Sequence, residues 1–329
     1  MVRPVTLVSG QYGDIPLEQL CTLVADIGYD GIEAACWAHV DVDRVLTEDG
    51  YAEKFLGTLE SHGLRLWAIS SHLIGQCVGD QWDQRLDNFA PAGLAGRPEE
   101  IQQWAVRQMA TVARAARRLG IDVVTGFLGS PIWPYWYSFP QTTEEMVEGG
   151  FQRIKELWSP IFDVFDDEGV KFAFEVHPTE IAFDYYSTER LLETFEHRPT
   201  LGLNFDPSHL LWQGVDPVLF LRGFRDRIYH VHMKDVKVRR DGLSGVLGSH
   251  LEFGDTRRGW DFVSLGHGDV DFEAIVRELD AIGYTGPLSI EWEDSAIDRV
   301  HGATEAFSVV RRLNVASSDV KFDDALKHD

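Results

Sequence analysis

VKFAFEVH (Val170–His177), LGLNFDPSH (Leu201–His209), IYHVHMKD (Ile228–Asp235) and PLSIEWED (Pro287–Asp294) are four short β-rich runs in which apolar and polar residues alternate. Successive side chains of a strand point to opposite sides. Phe172, Phe174 and Val176 therefore share one face of the first run, and Ala173, Glu175 and His177 the other. In the second, Leu201, Leu203 and Phe205 oppose Gly202, Asn204 and Asp206. In the third, Tyr229, Val231 and Met233 oppose His230, His232 and Lys234; in the fourth, Leu288, Ile290 and Trp292 oppose Ser289, Glu291 and Glu293.

Four similar runs precede these: VTLVSG (from Val5), GIEAAC (from Gly31), LRLWAISSH (from Leu64) and DVVTGFLG (from Asp122). Helical patterns lie between them. In Glu99–Gly120, Ile101, Ala105, Met109, Val112, Ala116 and Leu119 recur at helical spacing and Gly120 stops the helix. A second clear pattern spans Asp271–Gly283. Eight alternating βα units predict an α/β fold, a single (β/α)8 barrel over residues 1–313 with an extension at 314–329. Three connections, Ile74–Pro98, Ser130–Thr143 and Val236–Asp269, exceed the usual two to six residues. Each follows a strand, so the barrel places all three over its C-terminal, active-site face.

In such a barrel the apolar sets meet the outer helices and the polar sets face the axis. Barrel interiors are normally layered with Val, Ile and Leu. Here Glu175, Asp206, His232 and Glu291 reach the axis near the ends of four consecutive strands. Three carboxylates gathered without compensation are costly to bury. A divalent cation removes that cost, and mixed oxygen and imidazole donors suit Mn2+ foremost, with Co2+, Mg2+ or Zn2+ as alternatives.

The 329 residues carry a net charge of −23, which opposes binding to nucleic acid. The chain is 44% hydrophobic and 25% charged, as a globular protein is, and no apolar stretch approaches the roughly 20 residues that span a bilayer. Cys21, Cys36 and Cys77 form no disulfide or zinc pattern, and MVRPVTLVSG has no cleavable apolar run, so a cytoplasmic protein is expected.

FEVHP (from Phe174), NFDPSH (from Asn204), HVHMKD (from His230) and SIEWED (from Ser289), in that order, resemble the xylose-isomerase-like TIM-barrel superfamily of sugar isomerases and epimerases. GHGDVDF (from Gly266) and GYTGPLSIEWE (from Gly283) extend the resemblance. It implies a single metal on Glu175, Asp206, His232 and Glu291, and a substrate-touching histidine at His209. It also implies that Glu175 and Glu291 serve as the acid and base, as in tagatose-3-epimerase-like members. A metal bridging a carbonyl and a neighbouring hydroxyl acidifies the carbon-bound proton between them, and carboxylates can remove and return it through an enediolate.

Further substrate-side candidates are His177, Lys234, Glu33 and His72; each has a structural hydrogen bond or salt bridge as its plain alternative. His230 lies deeper and reads as a core hydrogen-bonding group. The loop Ile132–Phe139 is unusually aromatic: Trp133 and Trp136, with Trp260, either line the entrance or pack beneath a lid or at a subunit interface. Arg257 and Arg258 are the conspicuous basic pair of the third long connection, with Arg258 a candidate contact, and no glycine-rich phosphate cradle is found. A neutral keto sugar or glycoside therefore fits at least as well as a sugar phosphate. The rival on the same scaffold is a lyase, an inosose-type dehydratase or a 3-oxo-glycoside deglycosidase, which shares the first proton removal. A remoter rival, an endonuclease IV-like DNA repair enzyme, needs three metals. The fourth strand end has no histidine and no Asp-x-His pair follows the seventh.

Overall fold

Ten strands form in chain order: β1 (Val5–Val8), β2 (Gly31–Ala35), β3 (Arg65–Ser70), β4 (Val123–Gly126), β5 (Lys171–Glu175), β6 (Leu201–Phe205), β7 (Ile228–Met233), β8 (Asp235–Val238), β9 (Trp260–Val263) and β10 (Leu288–Ile290). The structure, a computed structural model, describes residues 2–316 and 322–326. Eight of the strands close into a barrel in the order β1-β10-β7-β6-β5-β4-β3-β2. Every neighbouring pair in it is parallel, as a (β/α)8 barrel requires.

The alternation read in β5 sorts its side chains. Phe172 turns outward onto Trp158, Phe162 and Phe165 of the helix Glu144–Glu168, with ring centroids 5.1, 5.8 and 5.6 Å away. Its neighbours Ala173 and Glu175 take the opposite side, and Glu175 meets Asn204 of β6 and His232 of β7. The helix Pro98–Arg118 begins with a proline whose missing N–H is unneeded there, carries Glu99 and Glu100 in its first turn and Arg117 and Arg118 in its last. Its buried stripe is Ile101, Ala105, Met109, Val112 and Ala116, at the spacing the sequence displays.

All three long connections hold structure of their own, the second only a 3-10 turn at Trp133–Tyr135. β3 ends at Ser70, and His72 opens a helix, His72–Gly79, where the sequence predicted strand and then loop. That helix is buried on nearly every side and lies directly on the chain after β4; a Cβ at Gly75 would sit 2.0 Å from the Phe127 carbonyl oxygen. The segment Val236–Asp269 is anchored by an antiparallel ribbon in which Asp235 pairs with Val263 and Val238 with Trp260. Asp235 ties its base: the carboxylate accepts the backbone N–H of Val236, Gly266, Gly268 and Val270. Gly268 is required there, because a Cβ would lie 2.0 Å from Asp235 Oδ1.

At the C-terminal end, Asn314 clamps the backbone of Arg3 through both side-chain atoms, at 3.0 and 2.6 Å. Residues 317–321 and 327–329 of the expected extension lie outside the described residues. Among the described residues, no helix is long and apolar enough to cross a membrane.

Candidate metal centre

Glu175 ends β5, Asp206 follows β6, His232 lies on β7 and Glu291 follows β10. One ligand atom from each lies within 4.8 Å of all the others. The local chain explains the aim of each group. Asp206 caps the short helix Pro207–Leu211 with Oδ1, which accepts the Ser208 N–H at 2.8 Å and its hydroxyl at 2.7 Å. Oδ2 is left buried without a hydrogen-bond partner. Glu291 accepts from Gln11 Nε2 at 3.2 Å on Oε1, while Oε2 has no hydrogen bond although His232 Nδ1 lies 3.1 Å away and Lys234 Nζ 3.3 Å. His209 Nε2 is likewise unpartnered, 3.3 Å from Glu175 and 3.4 Å from Asp206. Buried polar atoms are normally paired. Unpaired oxygens aimed at a common point, beside an imidazole nitrogen, are what a divalent cation satisfies, so the residues present fit one.

Electrostatics agree. Burial raises the Asp206 carboxyl to about 6, against the lowering pull of His209 and Lys234. Burial would raise Glu291 too, but Lys234 and His232 outweigh it and hold it at about 2. Burial opposes a charged His232, yet Glu33, Glu291 and Glu175 raise it well above the usual histidine range. A proton and a cation compete for the same nitrogen in such a site.

His232 is gripped from both sides. Asn204 Nδ2 lies 3.1 Å from Nδ1 and donates to Glu175 Oε2 at 2.7 Å. On the far side Nε2 lies 3.1 and 3.2 Å from the two oxygens of Glu33. Glu33 is fully enclosed and also accepts from Thr125 Oγ1 at 2.5 Å, His230 Nε2 at 2.8 Å and Ser289 Oγ at 2.8 Å. Burial works against its charge, but His232 and His230 hold its carboxyl well below the ordinary range. The structure thus sets Glu33 beneath the cluster, out of reach of a substrate. His230 joins it in the core, as its depth in the sequence indicated.

The other candidates divide. His72 Nε2 donates to Glu175 Oε2 at 3.0 Å with Ser70 Oγ on its other nitrogen at 2.7 Å. His177 stacks edge-on against His209 at 4.0 Å, and burial, with His209 beside it, depresses its basicity well below the usual value. Lys234 is buried between Glu291 at 3.3 Å and Glu293 at 3.2 Å, over the Phe262 ring at 4.3 Å. These residues surround the cluster. Trp133 and Trp136 pack on Phe183, at 5.5 and 5.1 Å. Trp260 stacks flat on Trp212 at 4.5 Å, and Arg258 points its guanidinium at the carbonyls of Gly248 and Leu251 between Phe253 and Trp260. Arg258 is buried and braces the ribbon's loop. Sequence reasoning passed over Gln11, Asn204 and Glu293. Asn204 and Glu293 stand on the inward faces of their runs; Gln11, just past β1, carries no sequence signal.

The chain is similar to several known proteins. It is 26% identical to the Bacillus subtilis protein YfiH over 311 residues, 87% of this chain and 91% of that one. It is 28% identical over 177 residues to the inosose dehydratase of Clostridium beijerinckii, which covers 53% of this chain and 55% of that enzyme, so the likeness spans about half of it. The apo structure of the E. coli 3-keto-D-glucoside 4-epimerase YcjR superposes with a TM-score of 0.67 over 94% of this chain and 99% of that one, at 14% identity, which shows a shared fold. The family model of the xylose isomerase-like TIM barrel matches residues 21–313, and the chain belongs to that family.

Proposed function

We propose that this protein is a divalent-metal-dependent enzyme that removes a proton next to a carbonyl of a carbohydrate and returns it elsewhere, as an isomerase or epimerase. The observation that carries this reading is the convergence of Glu175, Asp206, His232 and Glu291 within 4.8 Å, with buried oxygens of Asp206 and Glu291 unpartnered. These four residues hold the ion, Mn2+ foremost. Bound there, it polarises a substrate carbonyl and stabilises negative charge on the oxygens beside it.

The chain supplies the rest. Glu175 is fixed by Asn204, His72 and His232, whereas Glu291 is freer and part-exposed, 14% by side chain. With β6 and β7 between their strands, the two carboxylates meet a bound sugar from different sides. One takes the carbon-bound proton as the carbonyl becomes an enediolate; the other delivers a proton to the opposite face or the neighbouring carbon. Burial weakens the ammonium of Lys234, but Glu291 and Glu293 more than restore it, so it stays charged and neutralises the developing oxyanion. His177, kept neutral, and His209 and His72 offer hydrogen bonds to hydroxyls. Glu33, its oxygens taken by Thr125, His230, His232 and Ser289, acts through His232 instead of touching substrate.

A second reading, dehydration, is favoured by the likeness to inosose dehydratase. The same base removes the same proton, and a hydroxyl β to the resulting carbanion leaves as water with a proton from Lys234 or the second carboxyl. Metal-reconstituted enzyme offered ketoses, inososes and 3-oxo-glycosides in D2O, with products read by NMR, separates the two. Deuterium next to the carbonyl in an isomer supports the first; loss of water supports the second. Turnover that survives a chelator would end both.

A further inference from the structure

Beside the metal centre lies a cavity of about 350 Å³, lined by Gln11, Phe253, Asp261, Phe262, Trp292, Glu293, Asp294 and Ser295. It sits at the lower end of the roughly 300–1,000 Å³ typical of small-molecule sites. Gln11 forms the wall between the two, donating to Glu291 at 3.2 Å and to Glu293 at 3.3 Å. Phe262 reaches the centre from the other side, with its ring 5.3 Å from that of His209 and under Lys234. A group occupying the cavity would therefore be continuous with one bound at the metal.

The lining states what that group is. Phe253, Phe262 and Trp292 offer aromatic surface, and Phe253 is left 51% exposed at the rim. Asp261 is only 4% exposed; its Oδ2 accepts the Gly254 N–H at 2.7 Å, but Oδ1 has no hydrogen bond, with Arg258 Nε 4.0 Å away. Among the described lining residues there is no lysine or arginine, and three are carboxylates, so a phosphate finds repulsion where it needs donors. A bare aryl group would satisfy the rings and leave Asp261 Oδ1 buried and unpaired. An ammonium is not called for, because Lys234, Arg258 and Arg239 already stand 3.2, 4.0 and 3.9 Å from Glu293 and Asp261. A hydroxylated ring meets both demands: its C–H face rests on the aromatic rings and its hydroxyls donate to the carboxylates.

We propose that this cavity is a second carbohydrate subsite, taking an uncharged hydroxylated ring joined to the residue that reacts at the metal centre. The substrate class is then a phosphate-free, two-ring glycoside. This rests on the metal-centre reading above, and the test keeps the two apart.

The test is calorimetric titration of metal-loaded protein with cellobiose, maltose and lactose as two-ring probes, against glucose and glucose 6-phosphate, with metal affinity measured separately. At least one disaccharide should bind tenfold or more tightly than glucose, and glucose 6-phosphate no more tightly than glucose. Phe253→Ala, at a half-exposed rim position, should abolish the gain from the second ring while leaving glucose and metal affinity and the melting temperature unchanged. The proposal is overturned if no disaccharide exceeds glucose, if glucose 6-phosphate is the best ligand, or if the gain survives Phe253→Ala. Failure of the protein to bind a divalent ion would instead overturn the metal-centre reading, whatever the ranking of the sugars.

Discussion

Glu33 holds a charge with no exposed surface, and four side chains from three strands donate to it. Carboxylates that accept from a metal-binding imidazole fix its tautomer, and losing one typically weakens metal binding about 10–100-fold. Glu33→Gln turns an N–H toward neighbours that are themselves donors. Metal titration should show a loss on that scale, with a stability loss of roughly 1–3 kcal/mol in denaturant; unchanged metal affinity would remove Glu33 from this role. Glu175→Gln and Glu291→Gln should behave differently. Each keeps an oxygen donor and loses a base, so turnover should fall by about 10²-fold or more while metal content survives better. The sequence displayed both kinds of glutamate identically, as polar residues on inward faces. What separates them is depth: β2 runs on past Glu33 to Ala35, whereas Glu175 is the last residue of β5. Strand ends and barrel stagger are set by pairing partners, which alternation within one strand does not encode.

At the scale of elements, the face above the barrel is held by carboxylates that accept backbone N–H groups. Asp235→Ala should free the base of the β8–β9 ribbon. Hydrogen exchange should accelerate at Gly266, Gly268 and Val270, and metal affinity should stay close to wild type; protection that is unchanged would refute the clamp. A second anchor joins the loop after β4 to the helix His72–Gly79. Glu180 Oε2 accepts the N–H of Leu128 and Gly129, at 2.9 and 2.6 Å, and Asp80 Oδ1 that of Ser130 at 2.7 Å. Burial raises Asp80 to about 6, and burial with Asp80 nearby raises Glu180 well above the normal range. Raised carboxyls bind protons more tightly in the folded state, so their contribution is present at low pH and is lost as pH climbs from the unfolded value near 4 through about 6. Asp80→Asn should therefore gain stability over wild type at pH 8 relative to pH 4. Denaturation curves with the same pH dependence in both proteins would contradict it. None of this was legible beforehand. The sequence marked three long connections, but the helix at His72 and the ribbon depend on what they rest against: Phe127 in one case, the Asp235 carboxylate in the other.

The whole barrel was legible for a physical reason. Each unit repeats one instruction, a short alternating strand followed by a helix with one apolar stripe, and eight such units close on themselves. The same alternation sends Glu175, Asp206, His232 and Glu291 to one end of one axis, because each stands on the inward face at or next to the C-terminal end of one of the adjacent strands β5, β6, β7 and β10. The lining of the cavity beside the centre was less legible, since Gln11, Phe253, Asp261 and Trp292 come together only through segments beyond the barrel strands. The central claim is that one divalent ion sits on those four side chains. Crystals grown with Mn2+ and measured near the manganese absorption edge test it directly. The account predicts a single anomalous peak per chain within bonding distance of Glu175, Asp206, Nδ1 of His232 and Glu291. No peak there, or a peak held by other residues, would contradict it.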